Sequence, residues 1–387
     1  MKNFNLKKAF ASVSILMLAL FAFLPNQAKA QGVTSANIIG QVVDAAGQPI
    51  PFALVVAKHD PSGSTYGVET REDGRYNLPN VRTGGPYTIT VKMTGYKDYS
   101  ENGISLSLGQ TYRFNATLVE SSVALDAVTI TSDKNSLISN NRTGAGQNID
   151  RQTLAVAPTL NRSFNDFLRM TPQGRSTSVA STAGGGISFG GQDSRFNNLT
   201  IDGSVFNNSF GLASGPGGQA NAQPISMDAI DEIQVNIAPY DVRQGGFTGA
   251  GVNAVTKSGT NQLKVTGFFN TRNESMVGTK ADTSTINVSK FDVKQFGVSI
   301  GGPIIKDKAF FFVNFEGERR SDPMVYLANR GEAVGGNVTR VRATMLDSLS
   351  NYLKNTFGYD PGIYDNYNLP TYSNKAIAKF DYNINQA

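Results

Sequence analysis

The chain has 387 residues, a formal net charge of +5, 40 glycines, 23 phenylalanines, 14 tyrosines, one histidine and no cysteine. The lack of cysteine excludes disulfides, thiolate chemistry and cysteine metal sites, and a lone histidine, His59, removes most zinc and Ser-His-Asp chemistry. A charged fraction of 17% with glycine and aromatic enrichment is unusual for a soluble enzyme and suits a β-rich protein, part of which faces lipid.

Lys2, Lys7 and Lys8 precede an apolar run over residues 9–24, followed by Pro25 and by Ala28, Lys29 and Ala30. A basic start, an apolar core and an A-x-A ending predict a secretory signal peptide over residues 1–30, cleaved after Ala30; a spanning helix needs ~20 apolar residues and this run is shorter. No cysteine stands near the cleavage site, which excludes a lipoprotein anchor. Residues 1–30 hold four lysines and no acidic residue, so the remaining chain carries +1 and the basic balance is no argument for nucleic acid.

Residues 36–118 alternate with period two. Tyr87, Ile89, Val91 and Met93 share one face against Thr88, Thr90 and Lys92, and Phe114, Ala116 and Leu118 share another. Turn signals at Asp73-Gly74 and at Gly84, Gly85 and Pro86 bound these strands, which predicts a small antiparallel sandwich of Ig-like or prealbumin-like form. The segments IGQVVDAAGQPIPFA (39–53) and TREDGRYNL (70–78), followed by Gly95 and Tyr96, resemble the carboxypeptidase regulatory-like domain, which has no catalytic machinery. His59, beside Asp60 and Pro61 at a strand end, reads as a surface turn histidine.

A Ser-, Asn- and Thr-rich bridge over residues 119–147 contains one β-prone string, Leu125, Asp126, Ala127, Val128, Thr129, Ile130 and Thr131. Beyond it, residues 148–260 predict an α+β domain. Phe164, Phe167 and Leu168 fall on one helical face within residues 163–170, with Ser163 or Asn161 as N-cap and Pro172 as the stop. Residues 228–235 read as a short helical turn leading into a strand. Gly245, Gly246, Gly249 and Gly251 suggest close backbone packing or positive φ.

From residue 261 the pattern becomes long two-faced strands. Leu263, Val265 and Phe269 alternate with Lys264, Thr266 and Asn270; Phe296, Val298 and Ile300 with Gln295, Gly297 and Ser299; Phe311, Val313 and Phe315 with Phe312, Asn314 and Glu316; Phe380, Tyr382 and Ile384 with Lys379, Asp381 and Asn383. One apolar and one polar face per strand fits a membrane barrel with a wet interior, and also a soluble sandwich.

The order ISFGGQDSRFNNLTIDG (187–203), a glycine-rich loop, MDAIDEIQV (227–235) and GAGVNAVTKSGTN (249–261) closely resembles the plug of a TonB-dependent outer-membrane receptor. GGPIIKDK (301–308) resembles the early barrel of one receptor subgroup and favours the membrane reading. The expected fold is thus mainly β: a sandwich, an α+β plug, then the first strands of a transmembrane antiparallel barrel over residues 261–387. Plugged transporters use about 22 strands, and about four are legible here, so the chain reads as the N-terminal part of a longer receptor. SRFNNLTIDG (194–203) and APYDVRQGGF (238–247) resemble the Oar-like subgroup more than the SusC-like sugar importers. A lipoprotein lid partner is therefore not favoured.

The resemblance implies location in the outer membrane of a Gram-negative bacterium, contact with its lipid, and transport of an unidentified ligand or cargo. It also implies a TonB-type periplasmic partner that captures residues 125–131 by strand addition, which needs an extensible main chain more than particular side chains. The outward plug loop at 206–221 is the candidate ligand contact, through Phe206, Asn207, Asn208, Ser209, Phe210 and Asn221. The alternative is a surface barrel serving adhesion, assembly or protein export. A third reading, a soluble periplasmic binding protein, would make 387 residues the natural length. Gly186-x-Ser188-x-Gly190 matches a nucleophile elbow, but no histidine follows it and no hydrolase is expected. No calcium loop is present, and neither metal nor cofactor is expected.

Overall fold

The computed structural model describes residues 33–384 apart from 122–128, 132–144, 160–161, 177–185, 208–214, 216–221, 240–243, 283, 286–288, 325, 335–337 and 366. The expected signal peptide and Ala30 lie outside the described residues.

The N-terminal strands form a two-sheet sandwich. One sheet holds β1 (Ala36–Asp44), β4 (Arg75–Val81), β7 (Thr111–Arg113) and β8 (Ala116–Leu118), and the other β2 (Leu54–His59), β3 (Ser64–Glu69), β5 (Gly84–Lys92) and β6 (Tyr99–Leu106). Tyr87, Ile89 and Val91 are buried between the sheets with Phe114, Ala116 and Leu118, as their alternation requires. The sandwich is not wholly antiparallel. After β6 the chain crosses to the other sheet, and β7 and β8 lie beside β1 in the same direction. A short strand β9 (Thr129–Thr131) pairs in parallel with β6, Glu101 opposite Ile130.

His59 is not a surface histidine. It ends β2 buried, with its ring against Tyr87 at 4.9 Å and Nδ1 2.6 Å from the Ser62 hydroxyl. The turn after it folds back over the ring, which the motif beside Asp60 and Pro61 did not disclose. Burial, and then the Arg82 and Arg151 charges, bring its pKa down to about 3.

The plug is built on a five-stranded sheet in the order β10 (Ala145–Ile149), β15 (Ile230–Ile237), β16 (Gly251–Thr256), β13 (Asn198–Ile201) and β14 (Ser204–Val205). A hairpin of β11 (Gly174–Ser176) and β12 (Ile187–Phe189) and two short helices, α1 (Arg151–Val156) and α2 (Phe164–Leu168), pack around it. Ser163 caps α2 and Asp166 answers it in a capping box. The helix stops at Leu168, short of Pro172, because Met170 N–H turns back onto the Phe167 carbonyl. Phe164, Phe167 and Leu168 pack with Ile187, Phe189, Ile233 and Val252. Gly246 takes φ +80°, and a Cβ at Gly249 would collide with Asn197 Oδ1.

The last sheet has four antiparallel strands, β17 (Lys264–Asn273), β20 (Asp292–Ile305), β21 (Ala309–Pro323) and β24 (Asn368–Tyr382), in that order. The loop between β17 and β20 carries the small hairpin β18 (Lys280–Ala281) and β19 (Ser284–Thr285). The connection from β21 to β24 carries the parallel pair β22 (Leu327–Asn329) and β23 (Val338–Arg342) and a helix α3 (Ala343–Phe357). Among the described residues, no helix is long and apolar enough to cross a membrane, which leaves membrane-crossing strands open.

Burial in this sheet is inverted relative to a soluble sandwich. On β21, Val313 and Phe315 are 45% and 41% exposed, while Asn314, Glu316 and Glu318 are buried; on β20, Val298 and Ile300 are exposed and Gln295 and Ser299 buried. Apolar side chains outside and polar ones inside are what a lipid-facing wall requires. The β20–β21 turn is short, and both other connections are long. The short turn at Asp307 marks one rim of the wall, and the two long connections lie at the other.

Candidate functional site

The functional geometry lies where the plug meets the inner face of the wall. Phe312 of β21 is buried in the plug core, and Ile377 of β24 packs against it. Around this apolar patch the contacts are polar. Ser226 donates to Glu316 Oε2 at 2.6 Å, and Lys379 Nζ donates to the carbonyl and hydroxyl oxygens of Thr256, each at 3.3 Å. Arg162, paired with Asp228, lies 4.0 Å above the Phe268 ring.

Behind Ser226 is an ion cluster within the wall. Glu316 and Lys375 are direct cross-strand partners in the β21–β24 ladder, which puts Lys375 Nζ 2.7 Å from Glu316 Oε1 and 3.4 Å from Glu318 Oε2. All three side chains are buried. A buried ion group holds only when its members are paired and hydrogen-bonded, and the ladder register supplies this. The cluster's signature in sequence is the run of polar residues at alternate positions 314, 316 and 318, read there only as one wet face.

A shallow cleft opens in the plug between α2, β12 and β13, with Phe164, Arg195, Leu199, Phe206 and Asn207 on its walls. Phe206 and Asn207, two of the expected ligand-loop residues, thus border one concavity. Asn207 Oδ1 accepts from Leu199 N–H and its Nδ2 donates to Asn198 Oδ1, so it is engaged in holding the loop base. Asn208, Ser209, Phe210 and Asn221 lie outside the described residues. So do Leu125, Asp126, Ala127 and Val128, while the main chain of Thr129, Ile130 and Thr131 forms β9. Ser188 sits within the β11–β12 hairpin, opposite Arg175, and lacks the strand–turn–helix setting of a nucleophile elbow.

One buried carboxyl escaped the sequence reading altogether. Glu232, on β15 between Asp231 and Ile233, points at the sandwich and accepts the Leu108 N–H at 3.0 Å. Burial raises its pKa to about 8, the Leu108 bond partly offsets this, and Asp231 and Asp150 add to the rise. Period-two reasoning gives no warning of a carboxyl whose neighbour comes from another domain.

Two family models match the chain: the carboxypeptidase regulatory-like domain over residues 37–119 and an outer membrane beta barrel domain over residues 255–383. The TonB-dependent transporter Oar of Myxococcus xanthus is 29% identical over 297 residues, covering 73% of this chain and 26% of that protein. The chain therefore spans about a quarter of the length of that relative. The siderophore receptor PirA of Acinetobacter baumannii is 19% identical with a TM-score of 0.37, over 47% of this chain and 25% of that one. The outer membrane transporter YddB of Escherichia coli is 18% identical with a TM-score of 0.37, over 49% and 28%. Sandwich, plug and inverted β-wall stand in this order, and the matched domains and the likeness to Oar support a TonB-dependent receptor.

Proposed function

We propose that this chain belongs to a receptor that moves a ligand across the outer membrane with energy coupled from the inner membrane. The observation that carries the reading is the inverted wall: apolar outward, polar inward, and sealed on its inner face by a separately folded plug. In this reading an export signal over residues 1–30 brings the chain to the outer membrane, residues 36–118 form the periplasmic sandwich, 148–260 the plug and 261–387 the start of the barrel. A TonB-type partner takes residues 125–131 by strand addition and pulls on the plug. Ligand contacts come from the outward loop at 206–221, where Phe206 and Asn207 border the cleft. The chemistry is displacement of a plug, so the reading needs no catalytic residue, and the transporter relatives support a role other than enzymatic.

The test is deletion of residues 125–131 in the full-length receptor. Uptake or export dependent on the receptor should stop while the barrel still inserts as a heat-modifiable outer-membrane band. A transport phenotype that survives the deletion would falsify energised transport through this segment.

A further inference from the structure

Among the described residues, two sets of hydrogen bonds tie the sandwich to the rest of the molecule, and they differ in kind. The first is a clamp on one residue. Leu108, fully buried at the β6–β7 crossing, donates its N–H to Glu232, while its carbonyl accepts from Gln234 Nε2 and from Asn148 Nδ2 at 3.3 Å. Asn148 belongs to β10 and the other two to the adjacent β15, so neighbouring strands of the plug sheet hold both polar groups of a single residue. The fit leaves no room beside it: a Cβ at Gly109 would stand 2.7 Å from Gln234 Nε2.

The second contact joins the sandwich to the barrel rim. Asn261 N–H donates to the Pro61 carbonyl at 2.8 Å, Asn383 Nδ2 donates to Ser64 Oγ at 3.1 Å, and Gly63 lies against the Asp307 carboxylate. Ser64 is buried, but Asn261, Gly63 and Asn383 are only half-buried and Asp307 is exposed. Water replaces such bonds at little net cost as they open. Parting the clamp instead breaks three bonds held in a low-dielectric interior and also gives up the burial of the Leu108 side chain, which costs more.

We propose that the sandwich belongs mechanically to the plug: the rim contact parts first, and the sandwich leaves the barrel rim still clamped at Leu108. The proposal rests on the transport reading only for the source of the pull; the order of opening is a property of the resting molecule. The first measurement is native-state hydrogen exchange on the full-length receptor in lipid nanodiscs, comparing the amides of Leu108 and Asn261. Leu108 should be protected at least ~tenfold longer, since exchange reports the free energy of local opening. Equal or longer protection of Asn261 overturns the proposal.

The second measurement is a lock on the rim. A Cβ at position 63 would stand 3.2 Å from the Asp307 Cβ, close to disulfide separation, so the pair Gly63→Cys and Asp307→Cys should bridge on oxidation. If the double variant fails to insert, Ser64→Cys with Asn383→Cys replaces it. In cells, the oxidised lock should abolish the phenotype that deletion of residues 125–131 abolishes, and a reductant should restore it. A phenotype untouched by the oxidised lock overturns the proposal. Should the deletion itself have no phenotype, the transport reading fails, and the exchange order alone decides this one.

Discussion

Raising the pH should loosen the sandwich from the plug, and Glu232→Gln should remove that dependence. Glu232 titrates near 8 in the docked state, because burial penalises its charge, and from an ordinary 4.5 when water reaches it. The docked state therefore binds the proton more tightly, and its advantage is complete below about 4.5, shrinks as pH rises and is gone above about 8. Each pH unit inside that window costs up to about 1.4 kcal/mol, so going from pH 6 to 8 forfeits about 2 kcal/mol, roughly thirtyfold in the opening equilibrium. Asp231 and Asp150 reinforce the effect; Arg151, paired with Asp231, moderates it from the same edge. Glutamine keeps an acceptor for the Leu108 N–H and has no proton to lose.

These 387 residues hold no cysteine, and any cysteine elsewhere in the full-length receptor is replaced for the assay. Leu108→Cys places a single thiol in the clamp, and its maleimide-labelling rate in isolated outer membranes reports opening. Normalising to a Thr117→Cys reference, an exposed position on β8, cancels the pH dependence of the thiolate. The normalised rate should climb from pH 6 to 8 with Glu232 present and stay flat once Glu232→Gln is introduced beside the same thiol. The same climb in both backgrounds, or in neither, would refute the assignment of the switch to this carboxyl.

Two further expectations concern the wall and the sandwich. Lys375→Met leaves Glu316 buried without its cation, while Glu318 keeps Arg320 at 3.6 Å, and should cost about 3–5 kcal/mol, seen as a lower denaturant midpoint for the heat-modifiable form; adding Glu316→Gln should recover part of it, and an unchanged midpoint in the single variant would contradict the cluster's role. His59 is held near 3 in the fold against 6.5 when free, so the stability it contributes is complete above 6.5 and is lost as pH falls through that window. Protease resistance of the sandwich in the full-length receptor should therefore weaken from pH 7 to 5 and do so less in His59→Asn; an equal decline in both would remove His59 from the account.

Local patterning carried much of the architecture. The alternation at Tyr87, Ile89 and Val91, the cap at Ser163 and the long two-faced strands after residue 261 are all set by neighbours two to four positions apart, and the structure has them where expected. What sequence left open was decided by partners far along the chain. Alternation alone left the last strands as membrane wall or soluble sandwich; only the side on which the plug packs shows that Val313 and Phe315 face out and Glu316 faces in. His59 was misread for the same reason, since the Tyr87 ring that covers it arrives from β5. The helix α3 was missed because its apolar residues Met345, Leu349 and Tyr352 lie on an exposed face in a long connection, where no core enforces the pattern.

The distribution of charge across the seam bears on how a plug leaves its wall. Lys375, Glu316 and Glu318 all belong to wall strands, and the plug contributes to them one neutral hydroxyl, that of Ser226. Lys379 likewise meets only uncharged oxygens of Thr256. Were the plug to move, the wall would keep its ion pairs intact, and what would part at these points is a small set of charge-assisted hydrogen bonds, worth about 1.5–3 kcal/mol each, that entering water replaces. Had Lys375's charge come from the plug, departure would strand the buried Glu316 carboxylate and cost several kcal/mol. A seam whose ion pairs each lie within one side, Lys375 with Glu316 in the wall and Arg162 with Asp228 in the plug, holds the plug in register without an ion pair to part.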